Sequence, residues 1–140
     1  MEQDAYKIYI GIDVAKAKLD IKYDDDSPVV TIENTKKSFK LLNQYFTRYK
    51  QQVLVLLEAT GGYEKAIVKW LLSRGIPVSI INAKRVRDFA KASGEFAKND
   101  SIDAAMIRQY GQTFTQNIHL EEKKDDLEEQ IEDLNRLGIN

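Results

Sequence analysis

Two strands that each end in a carboxylate constrain this chain more than any other feature. In Tyr6-Lys-Ile-Tyr-Ile-Gly-Ile-Asp13, Ile8, Ile10 and Ile12 alternate with Lys7, Tyr9 and Gly11. That period of two marks a strand with one apolar face, and Asp13 stands at its end. Val53-Leu-Val-Leu-Leu57 is an unbroken apolar run ending in Glu58, the pattern of a strand buried on both faces. If the two lie parallel and adjacent, Asp13 and Glu58 reach the same sheet edge.

The chain between and beyond them supplies the rest of such a sheet. Leu19-Asp-Ile-Lys-Tyr23 alternates again, Asp24-Asp-Asp-Ser-Pro28 signals a turn, and Val29-Val-Thr-Ile-Glu33 reads as a third strand, giving an antiparallel meander. Asn34 or Thr35 caps a helix expected over 36–50, with Phe39, Leu42, Phe46 and Tyr49 on one stripe. After Glu58, the Gly61-Gly62 turn leads to a helix ending near Ser73, closed by Arg74-Gly75. Its Tyr63 and Trp70 are expected in the core. Ile76-Pro-Val-Ser-Ile-Ile81 is a fifth strand with its proline near the start, and Asn82 caps a basic helix over 83–92. A last helix is expected over about 100–112. This order predicts an α/β domain with a mixed five-stranded sheet flanked by helices.

Lys98-Asn-Asp-Ser-Ile-Asp103 adds Asp100 and Asp103, three apart at an expected helix start, where both project from one face. Capping of the helix N-terminus explains that pair equally well. Four clustered acids repel one another, and a bound cation relieves the repulsion. The chain has no cysteine and a single histidine, His119, so a metal here is hard and oxygen-bound, magnesium or manganese. Asp13, Glu58, Asp100 and Asp103 are therefore expected to converge on divalent ions for phosphodiester chemistry, in which two ions activate the attacking oxygen and neutralise the leaving one.

Charge is compatible with that chemistry. Residues 121–140 carry eight acids against three bases, while the other 120 carry 18 bases against 14 acids. The acidic tail thus hides a mildly basic body. Lys84, Arg85, Arg87 and Lys91 make the 83–92 helix basic and are candidate phosphate contacts, as is Lys16, three residues past Asp13. A solvated face accounts for them equally. Lys36, Lys37, Lys40, Arg48 and Lys50 form a second basic face. No apolar run reaches the ~20 residues of a membrane span and no signal peptide is evident, so a cytoplasmic protein is expected.

Three blocks resemble the DEDD transposases, insertion-sequence recombinases related to the Piv-type DNA invertases. They are Gly11-Ile-Asp13-Val-Ala-Lys16, Leu57-Glu58-Ala-Thr-Gly-Gly62-Tyr63 and Lys98-Asn-Asp100-Ser-Ile-Asp103-Ala104. Asn82-Ala-Lys-Arg-Val-Arg87 with Phe89-Ala90 resembles the segment before the last block. The resemblance covers about residues 6–112, and Asn99 stands where threonine is common. It implies an RNase H-like, RuvC-like fold in which Asp13, Glu58, Asp100 and Asp103 bind magnesium during DNA cutting and rejoining. It also implies a coiled coil leading to a second domain with a serine nucleophile, and a structured guide RNA as a partner. On this reading residues 1–116 are the RuvC-like domain, poor or inactive at recombination alone. Residues 117–140 begin a coiled coil that makes the full-length protein a homo-oligomer.

Leu120, Leu127, Ile131 and Leu134 give the tail a short heptad pattern that Lys124 interrupts. A terminal helix folded back on its own domain is the alternative. Two other functions fit parts of the sequence. A Gly-Ile-Asp strand end also opens sugar-kinase and actin-like ATPase folds, although Asp20 to Asp26 offers no glycine-rich phosphate loop. A non-catalytic nucleic-acid docking and oligomerisation module would use the same acids merely as caps and solubilising charges.

Overall fold

The computed structural model describes residues 6–46, 52–58, 61–94, 102–123, 131 and 133–138. Five strands, β1 (Ile8–Val14), β2 (Lys18–Lys22), β3 (Val30–Glu33), β4 (Val53–Glu58) and β5 (Val78–Ile81), form one sheet in the order β3-β2-β1-β4-β5. β1 to β3 make the expected antiparallel meander, and β4 lies parallel to both β1 and β5. The helices are α1 (Lys36–Phe39), α2 (Lys65–Ser73), α3 (Ala83–Ala92) and α4 (Ala104–Thr113).

Alternation along the strands sorts the core into two layers. Ile10, Ile12, Val14, Leu19, Ile21, Val53, Val55 and Leu57 pack with Phe39, Phe46, Ile67 and Leu71 on the side of α1 and α2. Leu54, Leu56 and Ile81 pack with Val86, Ile107 and Tyr110 on the side of α3 and α4. β4 is apolar from Val53 to Leu57 because it is covered on both faces, as its unbroken run requires.

Local chemistry sets the helix ends. Thr35 caps α1 by accepting from Ser38 N, and Asn82 caps α3 by accepting from Lys84 N and Arg85 N. The helix expected over 36–50 is one α-turn followed by a 3₁₀ segment, Lys40–Tyr45, and its last residues lie outside the described ones. That tightening still buries Phe39, Leu42 and Phe46. Trp70 is partly buried against Phe39 and Phe46, with the Arg74 guanidinium over its ring, whereas Tyr63 is 44% exposed rather than in the core. It sits on the loop before α2, ahead of the helical stripe that faces the sheet.

Past α4 the chain runs along the outer edge of β5. Ser79 Oγ donates to the His119 carbonyl at 2.7 Å, and Glu121 N donates to the Val78 carbonyl at 2.9 Å. The second of these bonds pairs a backbone group on an edge that would otherwise leave it open. Residues 133–136 are helical, and Asp133 accepts from Lys65 at the start of α2 at 2.7 Å. Ile131, Leu134 and Leu137 are exposed, while Leu127 and Lys124 of the heptad pattern lie outside the described residues.

One buried cation fastens α4 to the sheet. Arg108, 8% exposed, donates from Nε to the Tyr9 carbonyl at 2.7 Å and from a terminal nitrogen to Asp25 at 2.6 Å. Its stem fills the layer between α4 and β1, so Arg108→Met keeps the packing and removes only the charged donors. Hydrogen bonds to charged groups contribute about 1.5–3 kcal/mol each, so R108M is expected to lose about 2 kcal/mol in urea unfolding. A variant with wild-type stability would mean that neither bond matters to the fold.

Candidate active site

Asp13 and Glu58 come together through strand register. β1 and β4 pair in parallel from Ile8–Val53 to Ile12–Leu57, so the next residue on each strand is an acid. Both project to the α3–α4 side, because Ile12 and Leu57 take the opposite face. α4 crosses that face over Gly11. A Cβ at Gly11 would run into the Ala104 carbonyl and come within 2.7 Å of Arg108 N. The missing side chain is what lets the helix start seat beside Asp13.

Asp103 is at that start. It is the N-cap of α4, with extended backbone, and its carboxylate accepts from Met106 N at 2.8 Å. α4 begins at Ala104 rather than near residue 100, because the Asp103 side chain satisfies the amide that opens the first turn. Asp100 and the rest of 95–101 lie outside the described residues. The expected i, i+3 pairing on one helical face thus gives way, for Asp103, to a capping position. A cap and a site acid are compatible, since one carboxylate has a second oxygen to offer.

Electrostatics couple these groups through Asp13. Burial first, then the charges of Asp20 and Asp103, hold Asp13 above the ordinary aspartate value, with Lys18 acting in the opposite sense. Burial and then the Asp13 charge likewise raise Glu58, while Arg87 pulls it down. Both carboxylates are therefore penalised as anions, the condition a cation would relieve.

The acid that sequence reading missed is Asp20. It is the direct antiparallel partner of Asp13 and shares its face, and Thr31 Oγ1 donates to it at 2.6 Å. The signal was present in the hairpin itself. With the β1–β2 turn at Ala15–Ala17, positions 13 and 20 must oppose each other.

Asp13, Glu58 and Asp103 are hard oxygen donors, the chemistry that suits magnesium or manganese. Among the described residues, no group of three such side chains stands close enough to grip one ion. The basic candidates lie on two elements. Lys16 is exposed beyond β1, and Lys84, Arg85, Arg87 and Lys91 are exposed on α3. Lys84 pairs with Asp88 at 3.1 Å, and the charge of Arg87 acts on Glu58. No helix among the described residues is long and apolar enough to cross a membrane.

Comparison with known proteins fits this arrangement. A family model described as "Transposase", of the IS110 DEDD type, matches residues 10–138. The pilin gene-inverting proteins of Moraxella lacunata and Moraxella bovis are each 32% identical over 110 residues, 75% of this chain. The match covers 34% of those proteins, so this chain spans about a third of their length. RuvC of Thermus thermophilus superposes with a TM-score of 0.57 at 11% identity, over 82% of this chain and all of that one. Its sheet-and-helix plan is the one described above, and the chain belongs to the IS110-type DEDD transposase family, with a RuvC-like fold.

Proposed function

We propose that this chain is the acid-bearing catalytic unit of a DNA recombinase that cuts and transfers DNA strands. The observation that carries the reading is the parallel register of β1 and β4, which ends both strands in an acid on the face that α4 crosses. Family membership and the printed name of the pilin gene-inverting relatives support DNA as the substrate. In this reading Asp13, Glu58, Asp103 and Asp100 hold magnesium or manganese. When bound, such ions supply charge neutralisation at the scissile phosphate and a more acidic water.

The protein's own part is placement. β1 and β4 set the separation of Asp13 and Glu58, Arg108 and Gly11 seat α4, and Asp103 offers a carboxylate from its first turn. Lys16 and the α3 residues Lys84, Arg85, Arg87 and Lys91 contact backbone phosphates and leave sequence choice to other elements. The domain is taken as residues 1–116, with 117–140 opening a helical linker. In the full-length protein that linker would join chains through a coiled coil, next to a second domain and a guide RNA in the cytoplasm.

The test is DNA binding and nicking by the chain as it stands. The triple variant K84A/R85A/R87A is expected to weaken binding of a random duplex and to reduce the slope of log K against log salt by roughly 3. Manganese-dependent nicking of supercoiled DNA, however slow, is expected to vanish in E58Q. An unchanged salt slope would remove the phosphate contacts from α3, and duplex binding with no metal-dependent nicking in the parent chain would instead favour a docking module. Nucleotide binding would favour the kinase-like reading.

A further inference from the structure

The backbone ladder between β1 and β4 ends at Ile12–Leu57, one residue short of the two acids. A side chain from a third element spans the exits beyond it. Asn34, just after β3, donates from Nδ2 to the Ala15 carbonyl at 2.9 Å and to the Tyr63 carbonyl at 3.1 Å. Ala15 is two residues past Asp13, and Tyr63 follows the Gly61-Gly62 turn on the chain leaving Glu58. Both glycines have positive φ, 60° and 96°, which L side chains rarely adopt. Asn34 is itself anchored, because its backbone N–H donates to the Ala17 carbonyl at 3.0 Å.

The chemistry of the amide makes this a clamp with one orientation. Two carbonyl acceptors consume both hydrogens of the NH₂ group, and a flipped amide would set an oxygen against two oxygens. Asn34 Oδ1 is buried with no hydrogen-bond partner among the described residues. Leaving a buried oxygen unpaired costs stability, so the placement is poorly explained by stability alone.

We propose that Asn34 is a positioning residue that fixes the Asp13 exit against the Glu58 exit. The inference rests on the metal-holding role given to those acids, and it acts through the backbone without touching an ion or a substrate. Aspartate at this position is nearly the same shape but, ionised, has no hydrogen to donate. Alanine removes both bonds without adding charge.

Two measurements on the intact chain decide it. In hydrogen exchange, N34D and N34A are expected to speed the amides of Ala15 and Lys65 together, which donate to the Lys18 and Gly62 carbonyls. The amides of β1 and β4 are expected to keep wild-type protection. In manganese titration monitored by electron paramagnetic resonance, both variants are expected to bind about tenfold or more weakly, the size usual for residues that orient metal ligands. A plain loss of stability would instead raise exchange across the whole sheet. Loosening of only one exit, or of neither, would overturn the clamp, as would unchanged manganese affinity against a wild type that binds. A wild type that binds no manganese would remove the metal role of the acids, and exchange alone would then decide the clamp. If N34D does not fold, N34A carries both readouts.

Discussion

Gly11→Ala is expected to lift α4 from the sheet. The added methyl would meet the Ala104 carbonyl and two atoms of Arg108, at 2.7 Å and 2.9 Å, and two of these three are backbone of one helix. Backbone cannot swing aside as a side chain does, so the helix must shift or the strand must bend. Overpacking of this kind costs about 1–3 kcal/mol and sometimes more, and the rigid neighbours put G11A at the upper end, at least about 3 kcal/mol. For a domain of this size that corresponds to a fall in Tm of roughly 10 °C. Gly111 provides the contrast, because the three nearest atoms to a Cβ there all belong to the Leu56 side chain, which can repack. Thermal unfolding of G11A and G111A side by side checks the argument. Equal, small losses would mean that the approach of α4 to β1 is not tight.

The second large effect concerns the acids themselves. Asp13 and Glu58 both have folded pKa values raised above their ordinary ones, chiefly by burial and then by neighbouring carboxylates. For each, the folded state binds protons more readily than the unfolded chain. Their contribution to stability therefore falls as pH rises from the ordinary carboxylate value through the raised one, and the penalty is complete above it. Asp24 and Asp133 are shifted downward by hydrogen bonds and act in the opposite sense, so the difference between wild type and variant isolates the site. D13N and E58Q are expected to be more stable than wild type at neutral pH without metal, and to lose that advantage in mild acid. A divalent ion at a hundredfold excess over its Kd is expected to add about 2.7 kcal/mol to the wild type and nothing comparable to either variant. Unfolding curves across pH, with and without manganese, measure both. Variants less stable than wild type at neutral pH would mean that the carboxylates hold the fold together rather than strain it.

Much of this was legible in the chain because period and punctuation agree. The alternation in β1, the unbroken run of β4 and the cap at Asn82 each point one way, the first cap narrows to Asn34 or Thr35, and together they predict a mixed five-stranded sheet in which β1 and β4 can be parallel neighbours. Side-chain reach across elements was not legible. Arg108 reads as one more polar residue of a helix until β1 is laid beneath it, and Asn34 reads as a cap candidate until two loops are brought to its amide. Tyr63 was misplaced because an aromatic beside a helix start fits the core pattern as well as it fits an exposed turn. Asp103 illustrates an ambiguity that spacing cannot resolve, since capping and site chemistry ask for the same residue at the same place. Asp20 lay in plain view, and only hairpin register gives it meaning.

Anomalous diffraction from a crystal soaked in manganese would locate any ion held by these acids. A peak is expected on the α4 side of the sheet, between the carboxylates of Asp13 and Glu58, and is expected to be absent from crystals of D13N. Manganese found only on other surfaces, with no peak between those two side chains at saturating concentration, would contradict their metal-holding role.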